Sequence, residues 1–108
     1  MINIDDFAKV EIKVGLVTQA EDVEKSEKLI RLQVDFGDND QRTIFTGVRA
    51  FGYKPVDFSD KQFLFVTNLE PRKMMGEESQ GMILAVDGED GQPFFISATE
   101  LPLGAQVR

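Results

Sequence analysis

The chain has 108 residues, a formal net charge of −7, and neither cysteine nor histidine. Thiol nucleophiles, imidazole acid–base chemistry, Cys/His zinc sites and disulfide staples are therefore excluded. At this length one domain is expected, able to bury roughly two thirds of its unfolded surface, and the acidic balance lowers the expectation of a polyanionic partner.

The opening segment MINIDDFAKV lacks the basic region and long apolar stretch of a secretory signal, and no apolar run reaches membrane-spanning length, so a soluble cytoplasmic protein is expected. Asp5 or Asp6 is a candidate cap for a single helical turn through Phe7 to Lys9. Period-two alternation then takes over. In KVEIKVGLV, Val10, Ile12, Val14 and Leu16 fall on one face with Lys9, Glu11 and Lys13 on the other, predicting a half-buried strand. KLIRLQVDF repeats the pattern with Ile30, Leu32, Val34 and Phe36 against Arg31, Gln33 and Asp35. DFGDND supplies turn residues, and QRTIFTGV reads as the hairpin partner, with Ile44 and Val48 on one face.

VRAFGY predicts a short helix stopped near Gly52 and Pro55. QFLFVTNL is apolar on both faces, Phe63 and Phe65 on one and Leu64 and Val66 on the other, so a cover on each side is expected: a helix, or a second subunit. MILAV and PFFIS flank the hairpin-like turn DGEDGQ. Three strands, a short helix and two or three more strands predict an all-β Greek-key barrel of the OB type, the helix plugging one end between the third and fourth strands; a flattened sandwich competes.

Catalytic and cofactor chemistry finds little support. Ser79 with Lys73 forms a conceivable serine–lysine dyad, but no second signature residue accompanies it, and serine in a turn ordinarily bonds the backbone. The acidic turn Asp87, Glu89, Asp90 fails as an EF-hand: counting from Asp87, the twelfth position is Ala98 instead of glutamate and the fifth is Gly91. No phosphate-loop or dinucleotide glycine pattern occurs, so no cofactor and no metal are expected.

The cations are the better lead. Residues 1 to 24 carry two cations against six acids and residues 55 to 108 four against nine, whereas residues 25 to 54 carry six against four. Lys25 and Lys28 precede the second strand, Arg31 lies on its polar face, Arg42 opens the third and Arg49 follows it. On neighbouring strands these either converge within reach of phosphate or pair with Glu27, Asp35 and other acids. With no Trp and one Tyr, base stacking has few platforms, so any nucleic acid is expected to be read by shape and backbone.

The segment NLEPRKMMGEESQGM interrupts the alternation. Pro71 stops a strand, Arg72 and Lys73 set two charges side by side, and Gly76 and Gly81 permit sharp turns. Met74 and Met75 either close the barrel mouth or lie against a partner, and from the residues alone the segment reads first as a connecting loop whose methionines close the core.

Taken in order, KVEIKVGLV, Ser26-Glu27-Lys28-Leu29, Thr46-Gly47-Val48, Asn68-Leu69-Glu70-Pro71-Arg72-Lys73 and Ser79-Gln80-Gly81-Met82 resemble the tRNA-binding domain family, from about Phe7 to Val107. The likeness is to the branch found as the C-terminal domain or beta subunit of methionyl-tRNA synthetase. The resemblance implies an OB-fold, homodimerisation, a synthetase catalytic chain as partner, and recognition of tRNA by the shape of its elbow or outer corner. It puts Lys28, Arg72, Lys73, Ser79 and Met82 at the RNA surface and has Asn68 shape the loop; strand alternation adds Arg31 and Arg42. Glu77 stands where the family commonly has an apolar residue. Export chaperones of the CsaA type and free-standing tRNA-binding proteins share the scaffold and are the alternatives.

Overall fold

Asn3 opens the first element of the computed structural model, which describes residues 1–108. Its side chain accepts from the Asp6 N–H at 2.9 Å, while the Asp6 carboxylate accepts from the Asn3 N–H, closing a capping box over the short helix α1 (Ile4–Ala8). The expected cap, Asp5 or Asp6, is thus displaced to Asn3. Asp5 and Asp6 sit in the first turn, where carboxylates favour the helix dipole.

Five antiparallel strands follow the order β3-β2-β1-β4-β7, formed by β1 (Ile12–Asp22), β2 (Ile30–Asp35), β3 (Gln41–Thr46), β4 (Gln62–Val66) and β7 (Met82–Ile83). The end strands β3 and β7 meet, so the sheet curls into a nearly closed barrel of OB type. Strand β2 follows its alternation, burying Ile30, Leu32 and Val34. Strand β1 does not: its register with β2 slips between Val17 and Gln19, and the bulge sends Val17 into the core while Leu16 is only half-buried. Val10 precedes the strand and lies exposed. Gly15 lets β1 approach the core closely, since a Cβ there would stand 2.6 Å from Val34 and 2.7 Å from Phe36.

Two 3-10 turns, Arg49–Phe51 and Pro55–Asp57, replace the expected helix between β3 and β4. Gly52, at φ 91°, ends the first, and Pro55 starts the second before an α-helix can form. They deliver Phe58, 1 % exposed, into the core, where its ring packs against Tyr53, Phe63 and Phe95. The plug is therefore one aromatic side chain. It joins Val17, Ile30, Leu32, Ile44 and Phe65 in one buried cluster.

MILAV divides at Leu84: β7 stays in the barrel, whereas β8 (Ala85–Asp87) pairs with β9 (Pro93–Phe95) as the hairpin expected around DGEDGQ. The apolar tail pairs with the outer edge of β1, where the Val14 and Val107 N–H groups donate to Ala105 and Ile12, and Gly104 donates to Val14. Its backbone is thereby used within the chain. No helix is long and apolar enough to cross a membrane.

Where β4 ends beside the start of β1, Asn68 clamps both: its Oδ1 accepts from the Glu11 N–H at 2.8 Å and its Nδ2 donates to the Lys9 carbonyl at 2.7 Å. The Glu11 carboxylate accepts from the Thr67 hydroxyl at 2.6 Å and lies 3.4 Å from the Lys13 ammonium. The Thr67 bond first, and Lys13 after it, lower the Glu11 pKa against a smaller opposing effect of burial. A depressed carboxyl stabilises the fold above its unfolded value, about 4.3, and that contribution is lost as pH falls through the folded value. Thr67→Val should therefore flatten the dependence of Tm on pH below about 4.3, in thermal melts across the acid range. An unchanged acid slope would remove Thr67 from the effect.

Candidate nucleic-acid interface

The segment that interrupts the alternation folds as a hairpin, not a loop. Strands β5 (Arg72–Met74) and β6 (Glu77–Ser79) pair Arg72 with Ser79, Lys73 with Glu78 and Met74 with Glu77. Met75 and Gly76 join them with φ of 52° and 85°, the two left-handed residues of a type I′ turn. Arg72 and Lys73 project from this hairpin exposed, and neither stands within ion-pair distance of a carboxylate. Lys28, also exposed and without an ion pair, lies next to Leu29, whose side chain approaches Gly47.

Between the hairpin, β7 and the end of β3 runs a groove of about 590 Å³. Leu69, Met74, Met82 and Ile83 give it apolar walls, Thr46, Gly47 and Ser79 line it further, and Glu70 and Arg72 supply its charges. The geometry offers an anion one free guanidinium, Arg72, beside an apolar recess, while Lys73, the next residue of β5, points to the other face of the hairpin. Lys73 does not approach the Ser79 hydroxyl, which is committed elsewhere.

Ser79, buried to 5 % exposure, accepts from the Phe45 N–H at 3.1 Å and donates to the Gly81 carbonyl at 3.2 Å. Gln80 repeats the device two residues along the edge: its Oε1 accepts from the Thr43 N–H at 2.9 Å, and its own N–H donates to the Thr43 carbonyl at 2.8 Å. The outward N–H groups of β3 thus find side-chain acceptors where a strand neighbour is missing, and the barrel closes. Gly81 follows at φ 154°, where a Cβ would stand 2.8 Å from the Val66 carbonyl. The Ser-Gln-Gly segment is a seam, and Met82, half-exposed, is the residue of this motif that faces outward along the groove. Ser79→Ala should cost about 1–3 kcal/mol by stranding a buried N–H, read as a lowered denaturant midpoint; an unchanged midpoint would deny the seam.

Strand alternation put Arg31 and Arg42 on polar faces as candidate RNA contacts, but both guanidinium groups turn back onto the protein. Arg31 bonds Glu21 at 2.5 Å and also Glu77, tying the hairpin to β1, and these carboxylates, Glu77 first, raise its pKa further. Arg42 grips Asp40 through Nε at 2.9 Å and Nη2 at 3.1 Å, and its Nη1 donates to the carbonyls of Thr67 and, at 3.3 Å, Gln80. Arg49, from the same stretch, pairs with Asp22 at 3.2 Å and donates to the Ser26 carbonyl at 2.5 Å. The net-positive middle of the chain therefore presents lysines, not arginines, to solvent. Glu77 and Gln80, which help to position these groups, carry no local sequence signal because their partners are remote in the chain, whereas Asp40 lies two residues from Arg42.

The model of the family described as "Putative tRNA binding domain" matches residues 12–106. The chain belongs to the tRNA-binding domain family.

Its relatives show which branch of the tRNA-binding domain family it resembles. A methionine–tRNA ligase of Helicobacter pylori J99 is 52 % identical over 106 residues, covering 98 % of this chain but 16 % of the ligase. The chain thus spans about a sixth of that relative's length. The crystal structure of a methionyl-tRNA-synthetase-related protein from Pyrococcus horikoshii superposes with a TM-score of 0.93 at 45 % identity, covering 100 % of this chain and 98 % of the other. The chaperone CsaA of Bacillus anthracis superposes with a TM-score of 0.86 at 28 % identity, covering 100 % and 99 % of the two chains. In this tRNA-binding domain Asn68 is a backbone clamp, and Arg72, Lys73 and Lys28 are exposed without carboxylate partners.

Proposed function

We propose that this chain is a noncatalytic tRNA-binding module, acting as a homodimer, that raises the affinity of a methionyl-tRNA synthetase for its tRNA. The observation that carries the reading is the pair Arg72 and Lys73, exposed on the β5–β6 hairpin and free of carboxylate partners while Arg31, Arg42 and Arg49 are all neutralised. The membership of the tRNA-binding domain family supports tRNA as the ligand, and the high identity to methionine–tRNA ligases supports the synthetase.

In this reading Arg72, Lys73 and Lys28 meet phosphates, and Met82 lies against the sugar and base edges. Asn68, Ser79, Arg31 and Arg42 hold the hairpin and seam in shape without donating to RNA. Phosphates are met at fixed spacing by a preformed surface, so tRNA is recognised by its fold. A dimer doubles the cations and gains avidity through a second, intramolecular contact.

Sedimentation velocity of the protein with bulk tRNA, at low and moderate salt, tests both parts. A dimer engaging about six phosphates, three per protomer, gives a logarithmic salt slope of about −5. A slope near zero would contradict phosphate contact, and a monomer at micromolar concentration would contradict the dimer. The second reading, a peptide-binding export chaperone, draws on the apolar groove walls and the similarity to CsaA, and predicts salt-independent capture of apolar peptides.

A further inference from the structure

Phosphate contact alone does not account for the groove beside Arg72. Cations need only solvent-facing strands, yet here Leu69 and Met82, 48 % and 47 % exposed, stand in the same recess as Met74 and Ile83. The recess is also open at its Gly47 end: a Cβ on Gly47 would meet nothing closer than Leu29 at 3.9 Å. An apolar wall next to an unpaired guanidinium fits a ligand that is flat and apolar at one end and anionic at the other.

An extended peptide fits less well. Strand addition requires free N–H groups on the sheet edge, and those of Thr43 and Phe45 are already taken by Gln80 and Ser79. We infer that the groove receives one unstacked nucleotide of the bound RNA, its base lying against the Met74 and Met82 thioethers and its phosphate on Arg72. Thioethers make favourable contacts with aromatic rings and adapt to any base, so the site reads the presence of an extruded base and not its identity. Glu70, on the same groove, repels phosphate, which sets the phosphate at Arg72 and leaves the base to the thioethers. The inference rests on the tRNA reading for its natural ligand, while the groove itself is testable with a mononucleotide.

The chain has four methionines, two in the groove (Met74 and Met82) and two outside it (Met1 at the terminus and Met75 beside Glu21, Lys25 and Glu77), so methyl-labelled methionine supplies both probe and control. Titration with CMP should move the Met74 and Met82 methyl resonances upfield and saturably, leaving Met1 and Met75 in place, whereas ribose 5-phosphate should not produce the ring-current shift. Gly47→Val, which fills the open end and keeps every cation, should weaken CMP binding about tenfold, the equivalent of one stacking contact. If that variant lowers Tm, Met82→Ala, outside the core, reads the same loss. CMP that shifts neither methyl, or shifts them no more than ribose 5-phosphate, overturns the inference, as does a response to apolar peptide and not to CMP. Should tRNA still bind in a salt-dependent way in that case, the proposed function stands without the base site; CMP shifts with no tRNA binding would leave the base site and remove the function.

Discussion

Replacing Arg72 and Lys73 together with alanine is expected to weaken tRNA binding about thirtyfold, on the basis of about 1 kcal/mol for each exposed charge-assisted contact. Both side chains project from the hairpin without a carboxylate partner, so their removal breaks no ion pair within the protein. Tm should therefore stay within about 2 °C of the parent, since surface changes away from structural contacts rarely exceed about 0.5 kcal/mol. The logarithmic salt slope should also become shallower, because each protomer loses two phosphate contacts. Filter binding or fluorescence anisotropy at two salt concentrations reads affinity and slope together. Unchanged affinity would take the hairpin out of the RNA site.

Arg42→Ala has the opposite signature: a loss of about 3 kcal/mol in stability, or about 12 °C in Tm, before any effect on RNA. The substitution removes the donor to the Thr67 and Gln80 carbonyls, uncovers Asp40 and strips the guanidinium from the Phe36 ring, 5.4 Å from its centroid. Those carbonyls belong to the end of β4 and to the seam, so one side chain fastens both to β3. Arg42→Lys discriminates between clasp and RNA contact. A single ammonium keeps the charge that a phosphate needs but not the planar fork that spans a carboxylate and two carbonyls. Lysine should accordingly recover little of the lost Tm; full recovery of stability would show that charge alone matters at this position.

Much of the barrel was legible because alternation is a local property. Strand β2 and the DGEDGQ hairpin follow directly from residues a few positions apart, and glycine and proline mark where the chain turns between β3 and β4. The misses have physical causes of three kinds. A bulge at Thr18 shifts the buried face of β1, which no composition marks. The β5–β6 hairpin has strands of three residues with mostly exposed side chains, too short and polar to show a period, and its Met-Gly turn lacks the usual asparagine or aspartate. Asn3 outcompetes Asp5 because Asp6, three residues on, completes the capping box.

The candidate site divides along the same line. The ordered motifs were enough to identify the family and to pick out Arg72, Lys73 and the Ser-Gln-Gly-Met segment, since those are facts about residue order. Which of the cations stay free was settled by packing. Arg31 meets Glu77 across 46 positions of sequence and Arg42 meets Gln80 across 38, and long side chains on a curved sheet reach whichever carboxylate or carbonyl the fold carries past them. Likewise Ser79 and Gln80 serve as strand acceptors only because β3 ends the sheet opposite them, an edge that exists nowhere until the barrel closes.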